Sequence, residues 1–241
     1  MIALFASDGC RRGFSHTDCM YRKINMQAVC MQERRSNRER TDATRSALLQ
    51  AARALFVRQG YAATSTPEIC AAAGITRGAL YHHFVDKKDL FRAVLEHEAA
   101  SVRAGIETAA PVGASPRDAL VAGAEAYLDA MTLPGRTRLL LIEGPAVLGL
   151  AELRDLDERH AAGSLAEGLR AAGAGVDAGG PPLAALSALL SAAFDRAALD
   201  IDAGGDARAL RKAMRWLLLQ TLPVERRAAA AARSKTAKSR R

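Results

Sequence analysis

The sequence predicts an all-α protein with two domains, a small three-helix unit containing a helix-turn-helix and a larger helical domain after it. Three observations carry this. The composition is 49% hydrophobic, rich in Ala and Leu and short of β-branched runs. Segment after segment repeats apolar residues at helical spacing. Between Thr66 and Leu90, two short helices are joined by a tight turn at Gly74.

Residues 1–30 show no periodicity and hold three of the four cysteines. The apolar run Ile2–Ala6 is too short for a signal-peptide core and has no basic region before it. Cys10, Cys19 and Cys30 lack the paired close spacing of a zinc site. Residues 1–36 are therefore expected to be a disordered arm or a misassigned start. Domain one is placed at 37–93, and its first helix includes Leu48–Phe56 and ends at Gly60–Tyr61.

Thr66 is the expected N-cap of the next helix, with Pro67 at the first helical position, where a missing N–H costs nothing. Ile69, Cys70 and Ala73 form its apolar stripe, and Gly74 supplies the positive φ that reverses the chain. Thr76 caps the following helix, which buries Leu80 and Phe84 at i, i+4 beside Ile75. That leaves Thr76, Arg77, Tyr81 and His82 on a face no core explains, and a helix-turn-helix places such a helix in the DNA major groove. Asp86 and Asp89 form a capping pair for the third helix. Lys87 and Lys88 sit in its first turn, where the helix dipole disfavours cations unless an anion such as a phosphate lies nearby.

The second domain, 94–225, is read as further helices: 89–108, 117–131, 139–150, 153–172, 182–201 and 206–222. Gly173–Pro181 is a connector, because no Lys-Ser/Thr follows it to make a phosphate cradle. The last two helices carry Leu183, Leu186, Leu189, Leu190 and Phe194, then Leu210, Met214, Leu217 and Leu218. Faces so apolar suggest a four-helix bundle across a twofold axis, while an intrachain core explains part of the same surface.

The net charge of +8 is concentrated at the two ends. Residues 1–45 hold nine basic and five acidic groups, 46–99 six and five, 100–225 twelve and sixteen, and 226–241 seven and none. A polyanion would meet the ends and the helix-turn-helix rather than the acidic middle. The basic tail 226–241 is expected to be disordered.

Several chemistries find no support. The chain has no Gly-x-Ser-x-Gly, His-Glu-x-x-His, Cys-x-x-Cys or phosphate loop. His82 and His83 are helix neighbours pointing about 100° apart and cannot chelate one ion. Asp155, Asp157, Glu158 and His160 read as a solvated helix face. No stretch reaches the roughly 18 apolar residues of a membrane span. No enzyme activity, metal or cofactor is expected, and the thiols would be reduced in a cytoplasmic protein.

Residues 44–95 resemble the N-terminal domain of the TetR family of bacterial regulators. The resemblance rests on Leu48–Phe56 with Gly60–Tyr61, on the run Ala73-Gly-Ile-Thr-Arg-Gly-Ala-Leu-Tyr-His-His-Phe84, and on Asp86-Lys-Lys-Asp-Leu90. It implies that Thr66, Thr76, Arg77, Gly78, Tyr81, His82, His83 and Lys87 lie on or near double-stranded DNA. Tyr81 and His83 would clamp the backbone, Lys87 would meet a phosphate, and Thr76, Arg77 and His82 would read base edges. Cys70 departs from the usual alanine and adds one sulfur to a packed face. Met26 or Met31 would be a natural start for such a protein, and the final two helices would form a homodimer interface.

The expected function is a cytoplasmic, ligand-responsive regulator: a homodimeric repressor on a palindromic operator, released by a small-molecule effector. The rival reading is a DNA-binding architectural protein without a ligand, which a middle domain of this size argues against. Within that domain Leu139–Leu148 is the expected cavity wall, apolar around Glu143 with a Gly-Pro break, so Glu143 is the candidate ligand contact. The alternative is that Glu143 pairs with Arg138 or faces solvent. Sparse aromatics (Tyr127, Phe194 and Trp216) point away from a cage for flat cationic ligands and toward a flexible aliphatic or mixed one.

Overall fold

A computed structural model describes residues 16–174 and 181–223, with side chains from Arg38 onward. The expectations for residues 1–15, the middle of the Gly-rich connector and the basic tail lie outside the described residues. The described residues form ten α-helices: α1 (His16–Ala63), α2 (Thr66–Ala73), α3 (Arg77–His83), α4 (Lys87–Ala109), α5 (Pro116–Met131), α6 (Gly144–Leu148), α7 (Leu150–Arg159), α8 (Ala161–Ala171), α9 (Leu183–Asp202) and α10 (Ala207–Gln220). A π-helical turn, Arg138–Glu143, leads into α6.

Two boundaries differ from the sequence expectation. Residues 16–36 are helical and belong to α1, where the sequence offered an irregular arm. The run from Met20 to Arg38 is dense in Met, Gln, Arg, Lys and Glu, which lose little side-chain freedom in a helix. The predicted helix 153–172 is two helices, broken at His160 (φ −123°, ψ −109°).

In the first domain, Leu48, Ala52, Leu55 and Phe56 of α1 pack on Ile69 and Cys70 of α2, on Leu80 of α3 and on Phe84. Leu90, Phe91, Val94 and Leu95 of α4 close this core. Phe91 meets Phe56 edge-on at 5.1 Å and Tyr61 at 4.9 Å, an aromatic cluster that sets α1 against α4. α4 then continues into the second domain and packs on α5 and α8, and α9 and α10 pack on each other.

Charge as well as apolar contact joins the halves. Glu98 of α4 is 2% exposed and takes Nε of Arg53 from α1 at 2.8 Å and Nε of Arg136 at 2.8 Å. Arg136 also donates to the Ala130 carbonyl and the Ser101 hydroxyl, so its buried fork is filled.

The π-helical turn has an identifiable cause. Pro145 has no N–H to give the Leu141 carbonyl, and its ring would crowd that carbonyl in an α-helix. The chain widens instead: the Gly144 N–H bonds the Leu139 carbonyl, one residue further back than an α-helix allows. The predicted Gly-Pro break is thus a local widening, and Gly144 is buried.

Candidate functional site

α2 and α3 are capped at both ends. The N-cap of α2 is Ser65 and not Thr66: its hydroxyl accepts the Glu68 N–H, and Glu68 accepts the Ser65 N–H at 2.8 Å. Glu68 lies three residues from Ser65, the spacing a reciprocal box needs. Its carboxyl is held below the usual range by the Ser65 hydrogen bonds. Thr66 and Pro67 open the helix, and Thr66 is half-buried. Gly74 adopts the left-handed conformation (φ 67°, ψ 31°), and the Ile75 N–H returns to the Cys70 carbonyl at 3.0 Å. Thr76 caps α3 through the Ala79 N–H at 3.3 Å, so part of its hydroxyl capacity is already used.

With Leu80 and Phe84 buried, α3 exposes Arg77, Gly78, Tyr81 and His82 to solvent, and Tyr81 is 51% exposed. A Cβ on Gly78 would meet nothing within 4 Å, so no intramolecular contact requires its missing side chain. His83 is half-buried, and its imidazole pKa is lowered, first by desolvation and then by the charges of His82 and Arg45. Arg38, Arg40 and Arg45 of α1 are exposed as well.

Lys87 has a different place from the one expected. Its Nζ donates to the carbonyls of Tyr61 and Thr64, both at 2.9 Å, and lies 4.2 Å from the centre of the Tyr61 ring. The negative partner sought for this first-turn lysine is supplied within the chain, by the carbonyl dipoles of Tyr61 and Thr64 and the Tyr61 ring. Lys87→Ala should therefore cost about 1–3 kcal/mol of stability by removing a charged donor from both carbonyls, of which the Tyr61 one keeps the Thr64 N–H, measured by urea unfolding. Unchanged stability with weakened DNA binding would return Lys87 to the phosphate role.

Glu143 also departs from expectation. Its Oε1 pairs with Arg138 Nη2 at 2.7 Å and its Oε2 accepts the Tyr61 N–H at 2.9 Å, so it ties the second domain to the end of α1. Gly60 makes room for this (φ 82°), since a Cβ there would lie 2.8 Å from Arg138 Nη2 and 3.0 Å from Glu143 Oε1. Glu143 is thus paired with Arg138, the alternative the sequence left open, and it does not line the cavity described next.

A cavity of about 410 Å³, open to solvent on one side, lies among α4, α5, α8 and α9, with Ile106, Leu120, Gly123, Tyr127, Ser164 and Phe194 in its wall. Tyr127 and Phe194 meet edge-on at 5.8 Å. Behind the wall, the Tyr127 hydroxyl donates to Asp195 Oδ1 at 2.6 Å, and Ser191 Oγ donates to Asp157 Oδ2 at 3.3 Å. Burial pushes the Asp195 carboxyl up to about 6 and raises Asp157 as well. Burial, helped by Asp195, also lifts the Tyr127 hydroxyl well above its ordinary value. Asp157 thus leaves the solvated face assigned to it, and the sequence reading missed Asp195. The available signal was that Asp195 is the first charged residue of α9, directly after Phe194.

Among the described residues, no helix is long and apolar enough to cross a membrane.

The family model described as "Bacterial regulatory proteins, tetR family" matches residues 48–94, and that of the "Tetracyclin repressor-like, C-terminal domain" matches 117–221. The chain is 30% identical over 135 residues to the TetC protein of transposon Tn10 from Escherichia coli, covering 56% of this chain and 68% of that one. It is 47% identical over 62 residues to the transcriptional regulator AcrR of Shigella flexneri, covering 26% of this chain and only 29% of AcrR. A solved TetR-family regulator from Pectobacterium atrosepticum superimposes with a TM-score of 0.60 at 31% identity, over 78% of this chain and 98% of that one.

Proposed function

The chain belongs to the TetR family of bacterial regulatory proteins, DNA-binding regulators and not enzymes, and from that premise we propose a ligand-released repressor. It acts in the cytoplasm as a homodimer on a palindromic operator, and a small molecule in the cavity among α4, α5, α8 and α9 releases it. The exposed face of α3 carries the reading. Arg77, Tyr81 and His82 project from a helix already packed on its other side, and Gly78 leaves room for close approach of a partner. Arg77 and His82 are the base readers, Thr66, Tyr81 and His83 hold the backbone, and Thr76 positions the first turn of α3.

The dimer follows from α9 and α10, whose outer faces leave Leu189 72% and Trp216 63% exposed. Release requires the ligand to bind the DNA-free state more tightly, by ~5.5 kcal/mol for a complete switch.

An operator selected from a random DNA pool tests this reading. Arg77→Ala or His82→Ala should change preference at particular base pairs by ~1–3 kcal/mol, followed by fluorescence anisotropy on the operator and on single-base variants. Equal loss on operator and scrambled DNA would remove both residues from base reading. If no compound in a broad screen releases the operator, the ligand-free architectural reading takes over.

A further inference from the structure

The carboxylates around the cavity differ in their surroundings. Glu107 and Glu167, in its wall, are exposed, and Glu107 pairs with Arg103. Asp195 and Asp157 stand behind Tyr127 and Ser191, bonded to hydroxyls. Neither forms an ion pair with a Lys or Arg among the described residues. Two other interior carboxylates among the described residues do have a guanidinium: Glu98 has two, and Glu143 has Arg138. A buried carboxylate without a cation is costly, and the usual remedy is a positive partner.

A second observation points into the same space. Ser164 Oγ, in the cavity wall, is buried with no hydrogen-bond partner. Buried hydroxyls are nearly always satisfied, so this one has hydrogen-bonding capacity left for a ligand group. The remaining wall, apart from Ser191, is smooth and apolar, built from Ala, Gly and Pro with Ile106, Leu120 and Leu165 around the edge-on pair of Tyr127 and Phe194. Such a wall accepts a hydrophobic body, and aromatic faces attract cations.

We propose that the cavity binds an organic cation, an apolar body carrying one protonated amine, with the amine directed to the Tyr127–Asp195 pair and the body against Phe194 and the small-residue wall. This rests on the reading of the cavity as the effector site, and it names the chemical class of effector. It also alters the expectation drawn from sparse aromatics: the fold brings Tyr127 and Phe194 together, and the negative charge comes from carboxylates that lie far apart in sequence.

Three probes with one body and different heads test it: 1-naphthylmethylamine, 1-naphthylmethanol and 1-naphthoic acid. Binding to the full chain is measured by calorimetry without DNA. The amine should bind about tenfold more tightly than the alcohol, or better, and the acid most weakly. Asp195→Asn keeps an acceptor for the Tyr127 hydroxyl and removes the charge. It should bring amine and alcohol to within about twofold of each other and raise the unliganded melting temperature by several degrees, because an uncompensated buried charge is gone. The second change separates a charge kept for a ligand from one that supports the fold. Equal binding of the three heads, preference for the acid, or no binding by any of them overturns the proposal, and this wild-type comparison stands even if the variant does not fold. Operator release is measured separately. Preferential amine binding without release would sink the effector-site reading and leave the cation preference in place.

Discussion

Glu98→Ala should be among the most damaging single substitutions in the chain, lowering unfolding free energy by about 3–5 kcal/mol. The carboxylate is the shared acceptor of Arg53 and Arg136, with side-chain exposures of 3% for Glu98 and 7% for Arg136. Truncation leaves the Arg136 guanidinium inside without its counter-charge and removes the ion pair between α1 and α4, one of the contacts that set the reading head on the second domain. Burial alone would push the Glu98 carboxyl up, but the hydrogen bonds and charges of the two arginines outweigh it and hold the carboxyl below its ordinary value. The native state therefore binds this proton less readily than the unfolded chain does. The stabilisation is complete above the ordinary carboxyl value and is lost as pH falls through the depressed one. Urea unfolding from pH 7 down to pH 3 should show a steep acid-side loss in the wild type and a shallower one in Glu98→Ala. A variant within about 0.5 kcal/mol of wild type would mean the cluster is neutral to folding.

A second large effect is expected from Leu189→Glu with Trp216→Glu. Both side chains are exposed on the outer faces of α9 and α10, while Leu190, Phe194, Met214 and Leu218 fill the inner faces. Two carboxylates in a desolvated, twofold-related patch place four like charges across the axis, so dimerisation should fail at micromolar protein. Operator affinity should fall with it, by roughly 10²–10⁴-fold, because each head then binds a half-site alone. Sedimentation velocity and anisotropy at matched concentrations measure both quantities. Retained dimer with normal affinity would move the interface elsewhere, whereas monomer that still binds tightly would break the link between dimer and operator.

How much was legible in the sequence depended on how local each signal was. Gly74, Thr76, Leu80 and Phe84 act within a few residues of themselves, and the helix-turn-helix came out where its residues predicted it. Ser65 and Thr66 are both sound caps, and only the reach of Glu68 back to Ser65 decides between them. Lys87 was judged against its own helix dipole, yet its partners come from the end of α1, more than twenty residues earlier. The break at His160 is marked only by Gly163 three residues on, where a Cβ would run into the Glu158 carbonyl oxygen, a contact the sequence does not show. The cavity was illegible for the same reason as the Glu143 tie: it is assembled from four helices whose small residues look, one at a time, like ordinary helix filling.

The π-helical turn at Arg138–Glu143 also bears on how this chain can vary in length. A π turn is an α-helix holding one residue more than its ladder needs, and losing any one residue in it would restore ordinary i→i−4 bonding. Because each helical residue turns the chain by about 100°, such a deletion would swing Glu143 off the Tyr61 amide while keeping every amino-acid type in place. At this point the spacing between residues carries information that their identities do not. A one-residue gap here in a related chain would therefore mark a regulator whose two domains are fastened together differently, even where its carboxylate and arginine are retained.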